Sequence, residues 1–172
     1  MNFETINGLI LINKPKNYTS HDVVNKIRKV LNTKKVGHTG TLDPNATGVL
    51  PILIGNATKA SKYLIEHKKT YIATLKLGIK TDTGDSEGQA IETDLDFKSV
   101  NSEEIENVLK AFLGKQMQLP PLYSSIKING KKLYEYAREG KQIEIPPRQI
   151  EIYNIKLNSF NAEDEIISEV EC

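Results

Sequence analysis

The sequence predicts an α+β fold, and three observations carry that reading. Short alternating or apolar runs at 8–13, 49–54, 69–78, 148–157 and 165–172 have the period of strands. Stretches with apolar residues at helical spacing, 19–31, 57–65 and 102–114, are interspersed among them. At 172 residues the chain is long enough to bury a core without disulfide or metal staples.

Each element has a local cause. Gly8–Asn13 is a short apolar strand. Thr19 opens T-x-x-D, a capping box with Asp22, so a helix is expected from there to about Leu31. Its apolar positions Val23, Val24, Ile27, Val30 and Leu31 share one face, and Lys26, Arg28 and Lys29 take the other. Val49–Ile54 reads as a buried strand and Ala57–Ile65 as a short helix. In Lys69–Gly78, alternation puts Tyr71, Ala73, Leu75 and Leu77 on one face, which by pattern makes Tyr71 a core tyrosine. The loop TDTGDSEG holds Asp82, Asp85 and Glu87. Gly84 stands at a ligand position and the distal Glu of an EF-hand is missing, so the loop reads as a turn. Asn101 or Ser102 caps a helix running to Gly114, with Ile105, Val108, Leu109, Phe112 and Leu113 buried. Arg148–Leu157 and Glu165–Cys172 are two strands joined by the NAED turn.

Composition excludes several classes. No apolar run is long enough for a membrane helix, and the start MNFETINGLILINK lacks the basic, greasy pattern of a secretory signal. The lone Cys172 fits a reducing cytoplasm, and His21, His38 and His67 lack metal-ligand spacing. Charge is segregated, although the net is only +1. Residues 14–69 hold 11 Lys/Arg against 3 Asp/Glu, and residues 115–148 hold 7 against 3. Residues 70–114 (4 against 9) and 149–172 (1 against 6) are acidic. The basic blocks are a candidate footprint for a polyanion, and solvated helix faces would leave the same trace. Residues 116–148 add frequent turns, a tight one at Asn129–Gly130, and a short helix around Leu133–Glu139. Tyr123, Tyr134 and Tyr136 interleave there with Lys127, Lys131, Lys132 and Arg138, the chemistry of RNA stacking and phosphate contact. An amphipathic hairpin–helix unit accounts for that composition equally well.

The densest concentration of chemistry is GHTGTLDPNATGVLP, Gly37–Pro51. Pro44 pushes Asp43 towards extended backbone, so the carboxylate sits on a stiff, turn-rich loop before an apolar strand. A surface turn with Asp43 as its cap fits these residue types as well as a catalytic loop does. The G-x-x-x-x-G-K-[ST] phosphate loop is absent. The phospho-aspartate loop of ion pumps would need an Asp where Gly37 stands.

The Gly37–Pro51 loop resembles the active-site loop of the TruB family of tRNA pseudouridine synthases. Three further stretches resemble that family's other blocks in order: GLILINKPKNYTSHDVV (8–24), KKTYIATLKLGIKTDTGDSEG (68–88) and LPPLYSSIKINGKKLYEYAREG (119–140). The resemblance implies a pseudouridine synthase catalytic fold over 1–172, a mixed β-sheet with flanking helices and an inserted RNA-binding thumb at about 120–147. It implies Asp43 as nucleophile, acting on C1′ or C6 of a flipped-out uridine, and Tyr71 stacked on the base. His38 would contact the flipped region, Lys14 would shape the site, and Lys127, Lys131 and Arg138 would grip the RNA. The implied substrate is the T stem-loop of tRNA, with position 55 as target, no cofactor and no obligate protein partner. Two alternatives stay open, an RNA-binding module without catalysis and a guide-RNA-dependent synthase acting on ribosomal RNA. The turn density of the thumb leads us to expect a mobile segment that orders on RNA. The final ISEVEC resembles the start of a block that continues into a KGTYIR-type segment, whose arginine would stand beside a buried Asp43. The expectation is therefore a truncated chain that is inactive by itself.

Overall fold

The computed structural model describes residues 6–65, 67–94, 100–161 and 164–172. Residues 1–5 and the middle of the NAED turn lie outside the described residues. The chain divides into two compact units, Met1–His67 and Lys68–Cys172.

The first unit runs β1 (Gly8–Lys14), α1 (Ser20–Val30), β2 (Val36–His38), β3 (Gly48–Ile54) and a 3-10 helix, Gly55–Tyr63. The strands form one sheet in the order β1-β3-β2, with both ladders antiparallel. The expected box starts α1: Thr19 Oγ1 accepts from the Asp22 amide at 3.0 Å, and Asp22 accepts from the Thr19 amide at 2.9 Å. Val23 and Val24 of α1 pack on Val36, Leu50, Ile52 and Ile54 of the sheet, joined by Ile27 and Leu31. Val30 and Val49 are exposed, against expectation. Val30 is the last residue of α1, and the strand period turns Val49 away from the helix-covered side that holds Leu50 and Ile52. The segment expected as a short helix forms 3-10 turns, because it lacks both a side-chain cap and an apolar stripe.

The second unit contains β4 (Thr70–Lys76), β5 (Ile79–Thr81), β6 (Ala90–Thr93), α2 (Ser102–Lys110) and β7 (Gly114–Gln118). There follow β8 (Lys127–Ile128), β9 (Lys131–Lys132), α3 (Leu133–Arg138), β10 (Arg148–Ile152), β11 (Asn154–Phe160) and β12 (Glu165–Glu171). Asn101 is the cap of α2, with Glu104 completing its box. Ile105 and Leu109 of α2 pack on Ile166, Ile155, Leu157 and Phe160 of the sheet β11-β12-β4. The helix stops four residues short of Gly114. Its last turn tightens to Ala111, Phe112 and Leu113 amides bonded three residues back, and Gly114 takes φ 91° to enter β7. Phe112 and Leu113 are therefore exposed rather than buried, and Val108 is exposed within α2 itself. The single strand expected at 148–157 is two strands: β10 pairs β7, and β11 pairs β12.

The α+β class holds. The strands of the described residues form five small sheets whose ladders are all antiparallel, where one mixed sheet was expected. No helix among the described residues is long and apolar enough to cross a membrane.

Candidate active site

In the first unit the loop around Asp43 is anchored on both sides of that residue. On the N-terminal side, the Ser20 hydroxyl accepts from the Leu42 amide at 2.9 Å and donates to the Leu42 carbonyl at 3.2 Å. On the C-terminal side, the Pro44 carbonyl accepts from the Asn17 amide at 2.8 Å and from Lys14 Nζ at 3.2 Å. Lys14 Nζ also donates to the carbonyls of Tyr18 (2.6 Å) and Pro15 (3.0 Å). Antiparallel register opposes Lys14 to Gly48, the end of the same loop, so the sheet itself sets the span that the loop must close.

Lys14 is fully buried. Its pKa is lowered by desolvation, and the nearby Asp43 charge opposes that shift without cancelling it. Asp43 itself is exposed, contrary to the buried carboxylate expected. Its backbone carbonyl accepts from the Ala46 amide at 3.0 Å, closing the DPNA turn through the main chain. Among the described residues its carboxylate receives no hydrogen bond, so it is not the cap of that turn. The neighbours of Asp43 are held while its side chain is left open to a ligand.

His38 lies on β2 opposite Ile52, at the entry to the loop. Its ring Nδ1 is buried with no hydrogen-bond partner among the described residues. The following Thr39 is buried and its amide donates to the Pro51 carbonyl at 3.3 Å. Of the loop glycines only Gly48 requires glycine, at φ 128°.

Tyr71 belongs to the second unit. It sits on β4 opposite Val170, on the sheet face shared by Ile166 and Ser168. It lies at the open end of that face and is 42% exposed, so it is not a core tyrosine. Partial burial, and then the nearby Cys172, raise its phenol pKa above the ordinary tyrosine value.

The expected thumb is a hairpin followed by a helix. Asn129 (φ 52°) and Gly130 (φ 80°) make the tight turn between β8 and β9, and Leu133 at the start of α3 is fully buried. The Leu133 and Tyr134 amides donate to the Ile126 and Ser124 carbonyls at 2.8 and 3.1 Å, and the Tyr136 hydroxyl donates to the Ile128 carbonyl at 3.2 Å. Lys132 Nζ and the Arg138 guanidinium each lie 5.2 Å from the Tyr134 ring centroid, and Lys131 Nζ lies 4.9 Å from that of Tyr136. Lys131 also pairs with Glu139. Lys127 is exposed and lies with Arg148 on an open cleft of about 360 Å³ lined by Pro120, Ile126, Ile128, Ile145 and Pro146.

This internal bonding contrasts with a uniformly mobile thumb. In amide exchange on the free protein, Leu133 and Tyr134 should be protected and residues 142–144, which lie outside any ladder, should exchange fast. Equal, fast exchange throughout 120–147 would contradict the packing.

Residues 28–172 match the model of the TruB family pseudouridylate synthase (N terminal domain). The chain belongs to the TruB family. It is 49% identical over 167 residues to a protein of Francisella philomiragia subsp. philomiragia named tRNA pseudouridine synthase B, covering 97% of this chain and 55% of that protein. It is 53% identical over 154 residues to the protein of that name in Bacillus subtilis (strain 168), covering 90% and 50%. The chain thus spans about half the length of these curated relatives. Among solved structures, a chain of a Cbf5–Nop10–Gar1 complex is similar with a TM-score of 0.67 at 30% identity, over 95% of this chain and 39% of that one.

Two anchors of this TruB-family loop were missed by the sequence reading. Ser20 is the first residue of α1. Since Thr19 already supplies the cap, the Ser20 hydroxyl was spare, and that redundancy was the available signal. Asn17 adopts φ 66°, a left-handed conformation that Asn tolerates better than most residues, and so turns its amide to Pro44.

Proposed function

We propose that this chain is the catalytic part of a tRNA pseudouridine synthase, converting the T-loop uridine at position 55 to pseudouridine with Asp43 as nucleophile. The observation that carries the reading is the Asp43 loop, held at Leu42 and at Pro44 while its carboxylate receives no hydrogen bond among the described residues. A nucleophile must meet its target at a fixed position, and rigid neighbours with a free carboxylate provide that. Identity of 49–53% to proteins named tRNA pseudouridine synthase B, against 30% to the Cbf5 chain, favours tRNA over a guide-RNA substrate.

The reaction breaks the N1–C1′ bond and remakes it through C5. On one route the Asp43 carboxylate bonds to C1′ as the electron pair leaves with N1. The turned base then attacks through C5, releasing the carboxylate. On the other, Asp43 adds to C6 as the C5–C6 electron pair moves onto C5. The N1–C1′ bond breaks, the base turns, C5 bonds to C1′, and loss of the C5 proton expels the carboxylate from C6. Either way C5 loses a proton, N1 gains one, and no net redox change occurs. The base must first leave its stack. His38 stands at the loop entrance to fill the gap, and the ring of Tyr71 would stack on the uracil. Lys127, Lys131 and Arg138 would contact the RNA from the thumb, and Lys14 would shape the loop from beneath. A tRNA substrate accords with the cytoplasmic location expected from the lone Cys172.

The test is tritium release from a T stem-loop RNA labelled at C5 of uridine, using the protein at the full length of its relatives. Release from the position-55 uridine alone is expected. Tight binding without release would favour an RNA-binding module, and release that needs a guide RNA would favour the ribosomal alternative.

A further inference from the structure

The thumb holds an acid where helix electrostatics argue against one. Glu139 caps the C-terminal end of α3, where the partial negative charge of the helix favours cations over carboxylates. Two ammonium groups nevertheless converge on it. Lys131 Nζ pairs with one carboxylate oxygen, and Lys141 Nζ lies 2.9 Å from the other. The Lys131 and then the Lys141 contacts hold the Glu139 carboxyl below the usual carboxylate range, while Glu139 raises the Lys141 pKa. One lysine on each oxygen of a single anion is also how two lysines hold the paired non-bridging oxygens of a phosphodiester. The ring of Tyr136 lies against Lys131, placing a stacking surface beside that anion. Lys141 and Glu139 are exposed, at 65 and 44%, and Lys131 is half-buried at 30%, so water competes with the pairing and the clasp is weak.

We propose that Glu139 is a built-in stand-in for an RNA phosphate: it fills an anion site made by Lys131 and Lys141, and a backbone phosphate displaces it when RNA binds. The proposal rests on the reading of RNA as the substrate. Exchange replaces one anion by another, so the lysines stay neutralised in the free and bound states. Stray polyanions must compete with Glu139 for the site, whereas an RNA that also engages the rest of the enzyme overcomes it.

The test is Glu139→Gln in the protein at the full length of its relatives, titrated with T stem-loop RNA and with heparin at several salt concentrations. Glutamine keeps the size and removes the charge. Binding of both polyanions should tighten about threefold. The slope of log K against log salt should steepen by about 0.7 to 0.9, because the cluster in the variant presents one more net positive charge to the polyanion. The gain should vanish when Lys131 and Lys141 are also changed to Gln. Unchanged affinity and slope for both polyanions would overturn the proposal. Tighter heparin binding by the variant, with neither protein binding T stem-loop RNA, would uphold the anion site and overturn the substrate reading.

Discussion

Asp43→Asn is expected to abolish turnover while leaving the fold and RNA binding intact. The substitution is close to isosteric, and the bonds that shape the loop all run to other atoms. Ser20 holds Leu42, Lys14 and Asn17 hold Pro44, and the Ala46 amide bonds the Asp43 backbone carbonyl rather than its side chain. A neutral amide is a far poorer nucleophile than a carboxylate, so the covalent step loses its attacking group. Removal of a nucleophile from an enzyme that relies on it costs on the order of 10⁶ in kcat. A fall of at least about 10³-fold is therefore expected, with the Kd for T stem-loop RNA changed by less than about twofold. Measurable pseudouridine at a tenth of the parent rate would remove Asp43 from the nucleophile's role.

Lys14→Met is expected to carry the second largest effect, on stability and rate together. Methionine fills much the same space but donates no hydrogen bond. The Pro44 carbonyl would retain the Asn17 amide, whereas the Pro15 and Tyr18 carbonyls would lose the Lys14 bonds. Leaving these part-buried acceptors without the ammonium costs at most about 1–3 kcal/mol each, partly offset here because burying the ammonium is itself unfavourable. A net loss of about 2 kcal/mol is expected in denaturant unfolding, with turnover reduced by loosening of the loop at Pro44. The pH dependence has a defined sign. Lys14 is held below its ordinary pKa, so the unfolded chain binds more protons in the window between the lowered value and the ordinary one. Parent stability therefore gains a rising contribution with pH across that alkaline window, and the Met variant lacks it. A variant as stable and as active as the parent would show that Lys14 does not position the loop.

The elements readable beforehand were those whose causes lie within a few residues. Thr19 and Asp22 name a helix start because both partners of the capping box are three residues apart, and Asn101 or Ser102 marks another, where the structure selects Asn101. Asn129–Gly130 names a hairpin because left-handed backbone is a local property of those residues. The errors came where the deciding partner is distant. Val49, Val108 and Phe112 have the right hydrophobicity for a core, but their exposure depends on what covers each face. The break at Tyr153 depends on β7 and β12 competing for neighbouring stretches of one run.

The same division runs through the candidate site. Sequence alone determined which residues are candidates for the chemistry: a carboxylate before Pro44, a histidine five residues ahead of that carboxylate, a tyrosine on an alternating strand, and cations interleaved with tyrosines. Only the tertiary structure decided what each of them is free to do. Ser20 and Leu42 are 22 residues apart, and Lys14 and Pro44 are 30 apart. Those anchors exist because the β1–β3 register brings Lys14 to Gly48 and α1 packs across the sheet. Likewise, Lys131 looked like a free RNA contact until the hairpin and helix brought it to Glu139. Hydrogen bonds and ion pairs act over a few ångströms, and for groups far apart in sequence that proximity is created only by folding.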